Sequence, residues 1–338
     1  MRTRDYAIYG IVSLVLTMLF IGGCSEIYSI QIMSLSDKKT ITIKSDFAHR
    51  LCFLSAGENN DSFWIISEND ARELVLMRYD MNGTVKEQIK LPFYFPSWLW
   101  YNRRAFVPCD KVLLYVDKNK IFQYGMDENK PTLIKTFPLG AYPEIYCVDD
   151  QYIIACDFDV DKGMTDIYII NFKINKEIEH LSFGGVAHIL GISNSKMLFL
   201  IDHNVDNHMH ALSSYDIKSG KLVRDIAKNN FRCGTAVWSP HGDKVVYDFR
   251  ERLFSVDVDA ASISPECFFD GSGKYIVTNL NFISKNKVMF GITDYDVRLW
   301  QNTQFVIYDL DTGQKTQIPA PRYYTNLHVL GNYAVWEN

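Results

Sequence analysis

Short apolar or alternating runs, each followed by a small polar residue and a turn, recur along this chain of 338 residues. The run Leu74–Asp80 is typical, because apolar side chains lead into an aspartate and then into Asn82-Gly83, a pair that favours a tight hairpin. The same pattern returns at residues 122–125, 168–171, 214–216, 254–257 and 306–309. The chain therefore has the pattern of successive β-hairpins, and it shows no helical periodicity.

The repeats are evenly spaced. The residues that end the runs, at positions 80, 125, 171, 216, 257 and 309, are separated by 45, 46, 45, 41 and 52 residues. A period in the forties built from short strands is typical of the four-stranded blades of a β-propeller. The pattern predicts an all-β fold in which each repeat forms one blade.

Each end of the chain holds half a repeat. Residues 30–34 and 40–43 form a strand, a turn and a strand, and Ser34 lies 46 residues before the first of the end positions above. Near the other end, residues 326–330 and 332–336 form two short strands with no second half. Joining the halves completes a seventh blade and leaves the ring without open sheet edges. We therefore predict seven blades; the alternative is six blades with the N-terminal hairpin packed outside.

The fifth repeat opens with a distinctive turn. The segment from Trp238 to Lys244 is Trp-Ser-Pro-His-Gly-Asp-Lys, and an apolar strand follows it. This segment resembles the blade-opening motif of TolB-like propellers, aromatic-Ser-Pro-Asp-Gly-Lys, although His241 stands where that family usually has aspartate. The broader resemblance to TolB-like and WD-type propellers covers nearly the whole chain after residue 23. It implies a fold and no particular function, because propellers host binding, scaffolding and catalysis.

The N-terminus has the organisation of a secretory signal peptide. Arg2 and Arg4 precede an apolar stretch, which ends in the small residues of Ile-Gly-Gly-Cys at 21–24. This end resembles the lipobox of bacterial lipoproteins, in which the cysteine receives a diacylglycerol and becomes the new N-terminus. The resemblance implies that residues 1–23 are removed and that Cys24 is lipidated. The alternative is an uncleaved transmembrane anchor.

The lipobox resemblance also implies a location. The mature domain, residues 24–338, is expected outside the cytoplasm, held to a membrane of the cell envelope by acyl chains on Cys24. Ser25 occupies the position at which inner-membrane lipoproteins of diderm bacteria usually carry aspartate. In a diderm source the resemblance therefore favours the periplasmic side of the outer membrane.

The composition of the chain limits the kinds of partner that it can bind. Apolar residues make up 47% of the chain, enough for a substantial core, and the formal charge of −5 argues against nucleic acid, which needs a basic patch. Six cysteines follow Cys24, and their 15 possible pairings are not distinguished by spacing. We expect most of them to be buried thiols. A turn at 149–150 is expected to place Tyr152, rather than Cys156, opposite Cys147.

Unusual polar segments are expected on one face of the ring. In a four-stranded blade, the loop between the second and third strands lies on the same face as the link to the next blade. The long segments predicted there supply Asp157, Asp159, Asp161, His203, His208, His210, Asp294 and Trp300. Aromatic residues anchor interfaces, and long loops on rigid scaffolds carry recognition. We therefore interpret this face as the binding surface for an envelope protein or a polar small molecule.

The same residues suggest two metal sites. Aspartates at 157, 159 and 161 resemble half of a calcium loop, but the glycine comes one place late and Tyr168 occupies the twelfth position. The three histidines could bind zinc, although no acidic or cysteine ligand stands at a specific spacing. We favour the interpretation that the aspartates lie in a solvated hairpin tip and that the histidines lie in an exposed polar loop. No metal or other cofactor is predicted.

No catalytic motif is evident. The sequence contains no Gly-x-Ser-x-Gly elbow, and no pair of carboxylates can be assigned to opposite sides of a substrate. The sequence therefore predicts a binding scaffold rather than an enzyme. The alternative is a hydrolase or lyase that acts on a saccharide or lactone at a metal site in the loops named above.

Overall fold

The computed structural model describes most of the chain after residue 28. The described residues are 29–44, 51–56, 61–68, 73–91, 106–109, 112–126, 130–138, 143–148, 151–159, 162–193, 195–204, 209–227, 235–259, 265–294, 303–320, 325–330 and 333–337. Within these ranges the chain forms 28 strands and no helix. No helix in this part of the chain is both long enough and apolar enough to cross a membrane.

The strands are numbered in chain order, and two come before the first complete blade. These are β1 (Ser29–Ser34) and β2 (Thr40–Lys44). Blade 1 contains β3 (Leu51–Ala56), β4 (Ser62–Glu68), β5 (Leu74–Asp80) and β6 (Val85–Lys90). Blade 2 contains β7 (Phe106–Cys109), β8 (Val112–Asp117), β9 (Lys120–Gly125) and β10 (Lys130–Thr136). Blade 3 contains β11 (Glu144–Cys147), β12 (Tyr152–Asp159), β13 (Met164–Asn171) and β14 (Lys176–Gly184).

The later blades follow the same order. Blade 4 contains β15 (Val186–Ser193), β16 (Lys196–Asn204), β17 (Met209–Asp216) and β18 (Lys221–Ala227). Blade 5 contains β19 (Ala236–Trp238), β20 (Lys244–Phe249), β21 (Arg252–Asp257) and β22 (Glu266–Asp270). Blade 6 contains β23 (Tyr275–Ser284), β24 (Lys287–Asp294), β25 (Thr303–Asp309) and β26 (Lys315–Pro319). The last two strands are β27 (Thr325–Leu330) and β28 (Tyr333–Glu337).

The ring is closed by both ends of the chain. Strands β27, β28, β1 and β2 form one antiparallel sheet in this spatial order, in which Ile32 of β1 lies opposite Val335 of β28. This sheet is blade 7, and with it the fold is a seven-bladed β-propeller. The predicted closure is confirmed, and the six-bladed alternative is wrong.

Neighbouring blades share apolar cores, because the two faces of each sheet alternate along its strands. In β12, Ile153 and Ala155 pack in the core shared with blade 2, whereas Ile154 and Cys156 pack in the core shared with blade 4. First strands contact each other between blades 1 and 2, 2 and 3, 4 and 5, 5 and 6, and 6 and 7. The fourth strands consequently form its outer edge.

The two faces of the ring differ in their connections. We call the upper face the side that carries the loops between second and third strands and the links between blades. The lower face carries the turns that join first to second and third to fourth strands. On the upper face, the Gly185 amide in the link after blade 3 donates to the Gly163 carbonyl in the loop of the same blade, at 2.8 Å. Both connections therefore lie on one side, as predicted.

Aspartates at the ends of third strands fold the turns of the lower face. The Oδ1 atom of Asp80 accepts hydrogen bonds from the backbone N–H groups of Asn82 and Thr84, both at 2.9 Å. Asp309 does the same for the amides of Asp311 and Thr312, at 3.1 and 3.0 Å. A side chain that caps a tight turn is favoured at this place in most blades, which explains why polar residues recur there in the sequence.

The turn motif of blade 5 lies on the lower face. The Ser239 hydroxyl donates to Asp243 at 2.6 Å and accepts the amides of Asp243 and Lys244. Gly242 adopts a φ of 68°, the left-handed region that favours glycine. His241 is exposed at the surface of this turn. The variant residue is therefore compatible with the turn.

The residue that lies opposite Cys147 in blade 3 differs from the prediction. Cys147 lies opposite Ile153, not Tyr152, because the turn is one residue longer than expected. Cys156 lies opposite Glu144, so the two cysteines do not face each other. Cys156 is buried, whereas Cys267 in the outer strand of blade 5 is exposed.

Candidate binding face

A buried threonine holds the upper face together at blade 3. The hydroxyl of Thr165, which is 0% exposed, donates to the Gly185 carbonyl and accepts the Ala187 amide, both at 2.8 Å. The loop of blade 3 is thereby fixed to the first strand of blade 4. Residues on this face are positioned by the rigid sheets below them.

An acidic residue lies within the last three residues of the second strand in every blade. The series is Glu68, Asp117, Asp159, Asp202, Asp248, Asp294 and Glu337. Second strands end on the upper face, so the series forms a ring of acidic positions there. The intervals of 49, 42, 43, 46, 46 and 43 residues match the blade period, and this was the signal in the sequence that could have found it. Of this series, sequence analysis placed Asp159, Asp202 and Asp294 in the segments of the predicted binding face.

Two of the predicted aspartates lie in a strand rather than in the loop. Asp157 and Asp159 belong to β12, where Asp157 pairs with Asp166 and Asp159 pairs with Met164. Asp157 is only 8% exposed, so the interpretation of a solvated hairpin tip is wrong for this residue. Asp159 lies at the strand end. Its carboxylate accepts one hydrogen bond from the Lys162 ammonium, at 2.6 Å, and another from the Lys162 backbone amide, at 3.1 Å. Its carboxylate therefore closes the turn.

Asp157 lies beside a second carboxylate. Burial raises its pKa, and the negative charges of Asp166 and Asp159 raise it further. Asp166 in turn accepts hydrogen bonds from Ser182 and, at 3.0 Å, from Nε2 of His180. Blade 3 therefore presents a concentration of negative charge that a cation or a hydrogen-bond donor would relieve.

The His180 ring extends this cluster across the blade boundary. It stacks on Tyr168 with ring centroids 4.5 Å apart and an interplanar angle of 10°. The Lys135 ammonium of blade 2 lies 4.0 Å from the centre of the Tyr168 ring and forms an ion pair with Glu177 at 2.6 Å. These contacts connect blades 2 and 3 and hold the imidazole against Asp166.

Blade 4 carries two of the predicted histidines in its strands. His203 belongs to β16 and His210 to β17, where His210 pairs with Asp202. Both strands extend beyond the limits expected from sequence, so these histidines are not loop residues. His208 lies outside the described residues. Of the three histidines, the structure therefore places His203 and His210 beside the acidic position of this blade.

Blade 6 places Asp294 at the upper end of β24, opposite Tyr275. Lys274, in the link between blades 5 and 6, directly precedes Tyr275, and its ammonium lies 4.8 Å from the centre of the Tyr275 ring. Just below, the hydroxyls of Thr293 and Thr303 are 3.2 Å apart, and Thr293 is buried. Asp161 and Trp300, the remaining predicted residues, lie outside the described part of the chain.

In blade 5, the acidic position is Asp248, and the pKa of its carboxyl is strongly raised. Burial raises the pKa of Asp248 to about 6, and the nearby charge of Glu251 adds to the shift. Its Oδ1 atom is buried and has no hydrogen-bond partner within the described ranges. Sequence analysis missed this raised pKa because it arises from packing.

The described residues of the upper face include an acidic position in every blade, and no reaction centre is recognised among them. No group of three or more His, Cys, Asp or Glu side chains among them is arranged to hold a metal ion. The alternating aspartates of blade 3 do not converge, since Asp159 is engaged by Lys162 while Asp157 is buried beside Asp166. This arrangement can bind a cationic or hydrogen-bond-donating partner by charge complementarity.

No protein-family model matches the sequence, and neither does any curated protein.

Solved structures share the architecture. The chain is similar to an oligogalacturonate lyase in complex with manganese, with 10% identity over 91% of this chain and 94% of that chain and a TM-score of 0.63. It is similar to KlAtg21 in complex with the coiled-coil of AgAtg16, with 12% identity over 85% and 91% and a TM-score of 0.59. The β-propeller domain of the trilobed protease from Pyrococcus furiosus matches with 12% identity over 84% and 88% and a TM-score of 0.55.

These similarities define the class of protein. At 10–12% identity they show the fold alone, and that fold is the β-propeller. One of these proteins is an enzyme and another is seen with a coiled-coil partner, so the neighbours include both kinds of propeller.

Proposed function

We propose that this chain is a lipid-anchored protein of the bacterial cell envelope, whose propeller is a scaffold that binds a protein or a polar ligand on its upper face. Residues 1–23 are the signal peptide, and Cys24 carries the acyl chains. Ser25 favours the outer membrane in a diderm source.

The observation that supports this proposal is the position of the ring relative to Cys24. Strand β1 begins at Ser29, five residues after Cys24, and all 28 described strands lie beyond that point. Removal of residues 1–23 therefore leaves every described strand of the propeller intact. The acidic series on the upper face then provides the binding surface.

Lipidation is tested by a substitution at the anchor. The Cys24→Ser variant is expected to lose fatty-acid labelling completely and to move from the membrane fraction to the soluble fraction or to accumulate as a precursor. The measurement is incorporation of labelled palmitate, followed by fractionation. Absence of label in the wild-type protein would contradict the lipoprotein assignment.

Partner capture tests the binding face. Asp159→Asn with Asp294→Asn removes two negative charges from the upper face, and we expect capture of a cross-linked envelope partner to fall at least fivefold. The matched control, Asp259→Asn with Asp311→Asn, removes the same charge from exposed positions of the lower face. A loss of capture in the control, with capture intact in the first variant, would assign binding to the lower face.

A propeller enzyme is the second candidate. The similarity to an oligogalacturonate lyase in complex with manganese favours it, although that similarity extends only to the fold. Metal analysis of the purified protein discriminates between the two: a stoichiometric bound ion supports a saccharide lyase or hydrolase, and a metal-free protein that captures its partner supports the scaffold.

A further inference from the structure

The membrane tether joins the ring at a defined place. Strand β1 is the third strand of blade 7, so its first residue, Ser29, lies at the upper-face end of that strand. Five residue steps separate Ser29 from Cys24, and such a segment spans at most about 18 Å when fully extended. Lys44, the last residue of the outer strand β2, lies directly opposite Ser29. The outer edge of blade 7 is therefore within reach of the bilayer surface whenever Cys24 is anchored.

The outer edge of blade 7 combines exposed lysines with exposed apolar side chains. Lys44 lies at its upper end, whereas Lys38 and Lys39 lie with Asp37 in the lower-face turn between β1 and β2, and all four residues are exposed. Ile41 of the outer strand is 37% exposed. On the adjacent edge of blade 1, Val85 is 45% exposed.

The outer edges of blades 7 and 1 are in contact. Gly83, in the turn of blade 1, packs so closely on Ile41 that a Cβ atom built on this glycine would lie 3.1 Å from Cγ2 of Ile41. Lys86 and Lys90 of blade 1 remain 55% and 65% exposed, although they form ion pairs with Asp80 and Glu73. The lysines of blade 7 form none of the ion pairs found among the described residues.

The charge of the outer strands is asymmetric around the ring. Strands β2, β6 and β10, which form the edge of blades 7, 1 and 2, carry five lysines and one glutamate, a net charge of +4. The outer strands of blades 3 to 6 carry four basic and five acidic residues, a net charge of −1. The whole chain has a formal charge of −5. The positive sector of the edge is thus the one that contains the tethered blade.

The upper face carries an acidic position in every blade. An acidic residue lies near the end of the second strand in all seven blades, and anionic headgroups would repel that face if it lay flat on the bilayer. Lysines within a Debye length of such headgroups are attracted, and exposed isoleucine and valine gain by entering the interface.

We propose that the anchored propeller stands on edge, with the outer strands of blades 7 and 1 against a bilayer that contains anionic phospholipids. This proposal rests on lipidation of Cys24 for the anchoring itself. In this orientation the ring axis runs along the membrane, and the acidic upper face remains open to a partner.

Vesicle binding of the unacylated chain tests the edge separately from the lipid. A chain of residues 25–338 contains every described strand of the ring. We expect it to bind phosphatidylglycerol-containing vesicles and not phosphatidylcholine vesicles in co-sedimentation. Lys38→Gln, Lys39→Gln and Lys44→Gln together should weaken binding about a hundredfold, since each lysine near an anionic surface contributes about fivefold.

The control removes three exposed lysines from the other side of the ring. Lys218→Gln, Lys221→Gln and Lys315→Gln, on blades 4 and 6, make the same change in net charge and should leave vesicle binding within twofold of the wild type. An equal loss in both triple variants, or equal binding to both kinds of vesicle, would overturn the proposal.

Hydrogen–deuterium exchange of the lipidated full protein tests the orientation. In phosphatidylglycerol-containing vesicles, residues 36–44 and 84–91 should gain protection relative to detergent. Protection confined to the upper face, at residues 160–163 and 250–251, would show that the ring lies flat. If the N-terminal peptide lacked the diacylglyceryl mass, the anchoring assignment would fail, while the vesicle experiment would still decide whether the edge binds lipid.

Discussion

A chain that ends at residue 324 is expected to lose the cooperative fold of the whole propeller. The deletion removes β27 and β28, so β1 loses its inner neighbour and its inner edge is left unpaired. It also removes Leu327, Val335 and Trp336, which are 4%, 0% and 4% exposed. Burial of three such side chains contributes about 5–8 kcal/mol, comparable with the total of about 5–15 kcal/mol that stabilises a domain.

Urea unfolding followed by tryptophan fluorescence measures this effect. The deletion variant should show a broad transition, or none, and should bind a hydrophobic dye. A chain that starts at residue 25 is the control, because it loses even more residues from the other end without removing a described strand. A sharp transition at the wild-type midpoint in the deletion variant would show that both chain ends are dispensable for ring closure.

Thr165→Val is expected to destabilise the protein by about 2–4 kcal/mol. Valine has nearly the same shape as threonine but lacks the hydroxyl that serves both the Gly185 carbonyl and the Ala187 amide. Both backbone groups lose a partner at a site where Thr165 is fully buried, and each buried unsatisfied group costs about 1–3 kcal/mol.

The conservative variant separates the hydrogen bonds from the packing. Thr165→Ser keeps the hydroxyl and removes one methyl group, so its free energy of unfolding should remain within about 1.5 kcal/mol of the wild type. Chemical denaturation of both variants gives the comparison. If serine cost as much as valine, the methyl contact and not the two hydrogen bonds would fix the loop to the next blade.

The blade count could be predicted from the sequence because its strongest signals are local. Asp80 and Asp309 cap the turns that follow their own strands, so each repeat carries its marker within a few residues. Closure by the chain ends followed from counting half-repeats, and the pairing of Ile32 with Val335 confirms it. Periodicity, alternation and turn chemistry were sufficient for the architecture.

The candidate face was less predictable, because its properties come from contacts between blades. Turn residues in the sequence suggested where loops begin, yet β16 and β17 extend past that point and include His203 and His210. The burial of Asp157 and the raised pKa of Asp248 depend on neighbouring strands that no local pattern specifies. The acidic series was visible in the sequence as a period, but sequence analysis followed the residues that end the third strands instead.

Closure by the two chain ends also sets the order in which this protein can fold. Ile32 and Val335 pair across 303 positions of the chain, a contact of very high sequence separation in a fold whose other strand pairs are local. At ordinary rates of synthesis roughly 15–60 s pass between the appearance of these two residues. During that time the inner edge of β1 has no partner strand. The ring is therefore expected to become resistant to proteases only when its last strand has been added.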